Sequence, residues 1–324
     1  CQESVRPITM DRYRTAVRLH LAPYIGHVRL TRLGPEDVQT AVAAMREGGL
    51  SGNSTRLAVQ VLTTALRRAQ RLGLVETVAT DHVLLPRHTR YIVQPWTPDE
   101  VGRFLAAART DRFEAVYLLA IGAGLRLGEV LGLAWPFVDF TAGTARISQQ
   151  LTSLGPPGTL GRPKGQDSEA IVRLPSIVVD ALRRWHERQE RERAMASDWL
   201  DPAELARLIM PPRGGPFSTD LVFLGPTGYP LGRRTVRRQF VLTTNAAGLS
   251  RRRFHDLRHT HATFLLSIGA SMKEIQASLR HSRMSITADT YAHILPGLAE
   301  ANASRMDALM RGAVAAASGA GEEG

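Results

Sequence analysis

The sequence predicts a mainly α-helical fold with a small β-sheet, divided into two domains. Three observations carry this. Apolar residues recur at three- and four-residue spacing through much of the chain. Two segments alternate and are β-branched, and they flank a Gly/Pro-rich stretch. At 324 residues the chain exceeds one typical domain, and a proline-bounded segment near residue 90 reads as a linker.

The first domain is expected over residues 1–88, as short helices. Tyr13, Val17 and Leu21 are helically spaced between Thr9 and Leu21. After Gly34, Val38, Val42 and Met45 repeat the pattern from Pro35 to Met45. Ser54 to Leu72 is a longer helix, apolar at Leu57, Val61, Leu62, Leu66 and Leu72 and basic at Arg56, Arg67, Arg68 and Arg71, with Gly73 as its stop. That basic face is either solvated or turned to a polyanion. The segment from Pro86 to Pro95 contains the linker, set at 89–96.

The second domain is expected over 97–312, with a tail at 313–324. It opens on a capping box. Thr97 is a good N-cap, Pro98 suits the first helical position, and Glu100 completes the box. Asp111 to Gly122 reads as a mostly apolar helix, and GAGLRLGEVLGL turns into the next. Thr144 to Gln149 and Glu169 to Leu174 are the strands, with the intervening Gly/Pro-rich segment a loop carrying Lys164. Ser176 to about Arg193 is helical, and 191–216 reads as a peripheral insertion. Leu221 to Leu224 is extended. Helices are expected over Arg233 to Ala247, His255 to Ser267, Met272 to Leu279 and Ile286 to Ile294, with a weaker pattern from Leu298 to Ala317.

Composition narrows the function. Forty-one basic against 30 acidic residues give a net charge of +11. That balance points to an anionic partner, nucleic acid by default. No stretch approaches the roughly 18 apolar residues of a membrane span, and no signal peptide opens the chain. Cys1 is the only cysteine, which excludes an internal disulfide or a cysteine-built zinc site and suits a reducing cytoplasm. A start at Cys1 and not at Met reads as a fragment or a processed product.

Six polar residues form an ordered constellation. Arg126 stands in GLRLGEVLGL, Lys164 in GRPKGQDSEAIVRLP, His255 and Arg258 in FHDLRHTHA, His281 in SLRHS and Tyr291 in ADTYAHI. Arginine forks bind phosphate oxygens bidentately and stay charged. Histidine moves protons near neutrality, and a phenol can act as a covalent nucleophile. Arg126 follows Gly124 at a turn into a helix, a favourable place for anions. Glu129, one turn on, is placed to hold the guanidinium, although an isolated RxxE is more often a surface salt bridge. His255 and Arg258 share a helix face. His255 and His259 also have metal-ligand spacing, but the zinc-protease pattern requires Glu after the first His and Asp256 stands there. His259 and His261 read as structural. Tyr291, with a phenolic pKa near 10 in water, needs local cations or loss of its proton during attack.

This set, in this order, resembles the tyrosine recombinase (phage integrase) family. Arg280 is a departure, because the family usually has Gly before the histidine at position 281. The resemblance implies a SAM-like helical core-binding domain followed by a mixed α/β catalytic domain. It implies a site-specific recombinase or integrase of a phage or mobile element that needs neither ATP nor an essential metal. Tyr291 would attack a DNA phosphate, leaving a 3′-phosphotyrosyl link and a free 5′-hydroxyl. Arg126 and Arg258 would stabilise the developing charge, and His281 would hydrogen-bond the same phosphate. His255 would serve as base or proton relay. Lys164 would protonate the leaving oxygen. The implied partner is double-stranded DNA at specific sites, bound by four protomers in the synapse. The resemblance leaves room for a monomer when free, for an accessory directionality factor and for an arm-binding domain upstream. The implied location is cytoplasmic, on the nucleoid. Two other readings share the chemistry: a type IB topoisomerase-like enzyme and a Xer-like chromosome resolvase.

Overall fold

In the computed structural model the described residues are 5, 7–89, 91, 93–152, 158–163, 169–211, 214–281, 306–308 and 310–311. The chain forms two compact units that meet in sequence between Ile92 and Val93. Among the described residues it is mainly helical with two small sheets.

The first unit contains α1 (Pro7–Ala16), a π-helical turn (Val17–Leu21), α2 (Ala22–Ile25), α3 (Pro35–Glu47) and α4 (Gly52–Arg71). Pro23 explains the π turn. It has no N–H to give Leu19, and its ring would crowd that carbonyl in a regular helix. The chain widens one turn earlier, with the Ala22 N–H reaching the Val17 carbonyl. Leu21, Ile25, Ala41, Met45 and Ala58 form one apolar cluster, and Val38, Val42, Val59, Leu66, Val78 and Ala79 another. The basic face of α4 is partly engaged. Arg56 donates to the Pro86 carbonyl at 3.1 Å and Arg67 lies 3.6 Å from Asp81, whereas Arg68 and Arg71 are exposed.

The second unit begins with α5 (Pro98–Ala108), and the expected capping box is present. Thr97 Oγ1 accepts from the Glu100 N–H at 3.2 Å, and Glu100 accepts from the Thr97 N–H at 2.9 Å. α6 (Glu114–Gly122) is buried from Ala115 to Ile121, so it is the central helix, apolar on all sides. It packs against α8 (Ser176–Met195) and α11 (Asp256–Ser267). Trp96, Phe104, Tyr117, Phe254 and Phe240 form a cluster with ring centroids 4.6–6.4 Å apart. Phe240 comes from α10 (Arg233–Ala246).

Short α7 (Leu127–Leu131) follows the turn at Gly124. Strands β1 (Val138–Asp139), β2 (Thr144–Ile147) and β5 (Ala170–Arg173) form an antiparallel sheet in the order β1-β2-β5. Between β2 and β5 lies a second antiparallel pair, β3 (Gln150–Leu151) and β4 (Leu160–Gly161), in the region expected to be only loop. β3 lies directly against α7: a Cβ at Gly132 would come within 2.6 Å of the Gln150 and Leu151 backbone.

One expectation is corrected. The described residues of 191–211 are not wholly peripheral. α8 runs on to Met195, and α9 (Pro202–Ile209) inserts Leu205 and Ile209, with the preceding Leu200, into the main core. Asp201 caps α9 by accepting from the Ala203 and Glu204 N–H groups at 2.8 and 3.2 Å. The charged residues between these apolar ones mask a short amphipathic helix. α12 (Met272–Leu279) ends the fully described part, capped by Ser271 and Glu274. The helix expected over Ile286 to Ile294 lies outside the described residues.

Candidate active site

The site is assembled where three chain segments meet: the turn into α7, the start of α11 and the end of α12. Arg126 is the N-cap of α7. Its Nη1 donates to Glu129 Oε1 at 2.7 Å, and its backbone N–H donates to Glu129 Oε2 at 2.9 Å. The side chain of Arg126 keeps 27% of its surface exposed, while that of Glu129 keeps 1%. Glu129 is therefore a buried carboxylate holding a partly exposed guanidinium. It is not the surface salt bridge that an isolated RxxE would suggest.

Glu129 has a second cationic partner. Arg280 Nη2 donates to Glu129 Oε2 at 2.7 Å, with the Arg280 side chain 2% exposed. Burial alone would raise the Glu129 pKa, but Arg280, then Arg126 and Arg258, outweigh it and hold the carboxyl below its ordinary value. Arg280 caps α12 with φ +51 in the left-handed region. A non-glycine residue there costs roughly 1–2 kcal/mol. The sequence marks Arg280 only as a departure from an expected glycine. An arginine in a helix-ending turn beside a site histidine is the one local sign of its role.

Arg258, in the first turn of α11, is buried, and its guanidinium donates to the carbonyls of Gly124 and Leu279. It thus joins the turn before α7 to the end of α12. Gly124 has φ +60, and a Cβ there would lie 2.7 Å from the His261 ring. A glycine is required on both counts.

His255 stands at the residue before α11, and its ring lies edge-on to His259 with centroids 5.0 Å apart. His255 is an exposed residue, yet protein lies close to its imidazole. That surrounding, followed by His259, Arg258 and Arg126, holds its pKa below the ordinary imidazole value, with Asp256 opposing. His281 directly follows the left-handed Arg280. Its pKa is pushed down to about 3, first by burial and then by Arg258, Arg126, His259 and His255. Both imidazoles are neutral near pH 7. His261 is structural, as expected. Its Nδ1–H donates to the Ile121 carbonyl at 2.8 Å, which leaves Nε2 to accept from Ser278 Oγ at 2.8 Å.

Of the expected site residues, Arg126, Glu129, His255, Arg258 and His281 are brought into one electrostatic neighbourhood. Lys164 and Tyr291 lie outside the described residues. Among the described residues, no group of three or more His, Cys, Asp or Glu side chains could hold a metal ion. No helix among them is long and apolar enough to cross a membrane.

Comparison with known proteins adds four likenesses. Residues 95–297 match the model of the phage integrase family. A XerC-like tyrosine recombinase from Caldanaerobacter subterraneus subsp. tengcongensis is 31% identical over 214 residues, covering 63% of this chain and 51% of that protein. The ICEBs1 integrase of Bacillus subtilis (strain 168) is 23% identical over 312 residues, covering 96% and 80% respectively. The chain thus spans about half the length of the first relative and four fifths of the second. Among solved structures, the Tn1549 transposon integrase in complex with a circular intermediate DNA shares the fold, with a TM-score of 0.75 at 20% identity over 94% of this chain and 95% of that one.

Proposed function

This chain belongs to the phage integrase family, the tyrosine recombinases, and from that premise we propose that it cuts and rejoins double-stranded DNA at specific sites through a covalent 3′-phosphotyrosyl intermediate. The observation that carries the reading is that Arg126, His255, Arg258 and His281 lie in one electrostatic neighbourhood, within the segment that matches the family. The net charge of +11 supports DNA as the partner.

The phenolic oxygen of Tyr291 attacks the scissile phosphorus. The bond from phosphorus to the 5′-oxygen breaks, and its electron pair leaves with that oxygen. Lys164 supplies the proton that makes it a 5′-hydroxyl. The phenolic proton passes to His255, which is neutral at working pH and so has a free lone pair. Arg126 and Arg258 stabilise the charge gathering on the non-bridging oxygens. His281 hydrogen-bonds the same phosphate. Attack by the 5′-hydroxyl of a partner strand reverses the step, so no high-energy cofactor is consumed. Exchange between two duplexes calls for four protomers, and the place of action is the DNA of the cell.

Integration or excision of a mobile element is the leading role. The second reading, a Xer-like resolvase, is favoured by the identity to the XerC-like relative. The test is incubation with a pool of nicked duplexes, recovery of SDS-resistant adducts, and mass spectrometry of the linked peptide. Linkage through Tyr291, lost in Tyr291→Phe with DNA binding retained, is the expected result. An adduct that persists in Tyr291→Phe removes Tyr291 as nucleophile.

A further inference from the structure

We propose that Arg280 is a positioning residue for Arg126: it shares the charge of Glu129, so that Glu129 fixes the Arg126 guanidinium without cancelling it. The proposal rests on the reading of Arg126 as a phosphate ligand.

The geometry is specific. Glu129 presents one oxygen to the Arg126 guanidinium at 2.7 Å, and the other to both the Arg126 N–H at 2.9 Å and the Arg280 guanidinium at 2.7 Å. A carboxylate and a single arginine form a neutral pair. Such a pair orients the guanidinium well and weakens its pull on an incoming phosphate. Two arginines on one carboxylate leave a unit of positive charge. Arg280 is buried to 2% and Arg126 is 27% exposed, so the side of the cluster open to an anion is Arg126.

Two further observations point the same way. Arg280 occupies a left-handed backbone position that suits glycine, so a strained conformation is kept to place this side chain. It also leaves its buried Nε without a partner among the described residues. An arginine serving only to tie two elements together would be expected to have its donors satisfied. Here Nη1 reaches the Ser278 carbonyl at 3.0 Å and Nη2 is committed to Glu129. The contact joins the end of α12 to the start of α7, next to the phosphate-facing arginine.

The experiment compares the intact chain with Arg280→Gln and Arg280→Lys on the nicked duplex recovered as a wild-type adduct. Three quantities are read: the single-turnover rate of adduct formation at saturating protein, the protein concentration for half-saturation, and the thermal midpoint. Arg280→Gln is expected to slow adduct formation at saturation by about tenfold or more, with half-saturation changed by less than about threefold. Arg280→Lys, which restores the charge, is expected to recover most of the rate. If Arg280→Gln does not fold, Arg280→Gly replaces it, because glycine suits the left-handed backbone. The proposal is overturned if a folded charge-removing variant reacts at the wild-type rate. It is equally overturned if a folded Arg280→Lys is as slow as Arg280→Gln. Failure of the wild-type chain to form any adduct would instead remove the recombinase reading on which the proposal stands.

Discussion

Glu129 holds Arg126 twice, by its guanidinium at 2.7 Å and by its backbone N–H at 2.9 Å. One carboxylate therefore fixes both the start of α7 and the direction of its partly exposed arginine. Glu129→Gln keeps the shape but leaves Arg280 buried without its counter-charge. Breaking a buried pair in this way is expected to cost about 3–5 kcal/mol, measured by urea unfolding at neutral pH. The pH dependence follows from the sign of the shift. The folded pKa lies below the unfolded value near 4.5, so the contribution is present above that value and fades as pH falls through the folded one. The wild-type and Glu129→Gln stabilities should converge in acid. A gap that stays constant to low pH would contradict the assignment.

His261 titrates in a different window. Burial first, then Arg258 and Arg280, push its pKa down to about 4, while the bond to Ile121 pulls the other way. The unfolded chain binds the proton near pH 6.5 and the folded chain only near 4, so stability is lost as pH falls from 6.5 toward 4. The loss is expected to be on the order of 2–3 kcal/mol. His261→Ala should be less stable at pH 7, and its slope should be shallower by this share, with the shares of His255, His259 and His281 remaining. An unchanged slope would place the titration elsewhere.

Phe240 contacts Trp96, Phe104, Tyr117 and Phe254 and is 1% exposed. Phe240→Ala should destabilise the second unit by about 3–5 kcal/mol through the cavity it leaves. Calorimetry of the intact chain would show which transition moves.

The status of α9 can be checked in the same way. Ile209 is fully buried in the main core. Ile209→Ala is expected to cost about 2–5 kcal/mol. A loss below about 0.5 kcal/mol, typical of surface positions, would return the segment to the periphery.

DNA affinity should fall steeply with salt, because displaced counterions drive binding to phosphates. The slope of log affinity against log salt should shrink when the exposed Arg68 and Arg71 of α4 are both replaced by Ala. An unchanged slope would show that this face does not meet the duplex.

Most of the described helices of both units were legible because their signals are local. Thr97, Pro98 and Glu100 lie within four residues, and the apolar spacing of α3 and α4 repeats within a turn or two. The strand pair β3 and β4 was not, since each strand is two residues long and has no period to read. The burial of α9 was hidden because charged residues separate Leu200, Leu205 and Ile209 in sequence, while the helix puts Leu205 and Ile209 on one side and the preceding Leu200 joins them in the core.

The chemistry of the described site was written in residue types, since guanidinium, carboxylate and imidazole groups have their proton affinities and bonding capacities before any folding. Family membership followed from their order along the chain. Only the tertiary structure decided which charges share a partner. Arg280 and Glu129 are 151 residues apart, and their meeting depends on a left-handed backbone turn and on Arg258, which ties the end of α12 to the turn before α7. Electrostatic pairing is decided by distance in space and by exclusion of water, and neither is encoded in any short stretch of sequence.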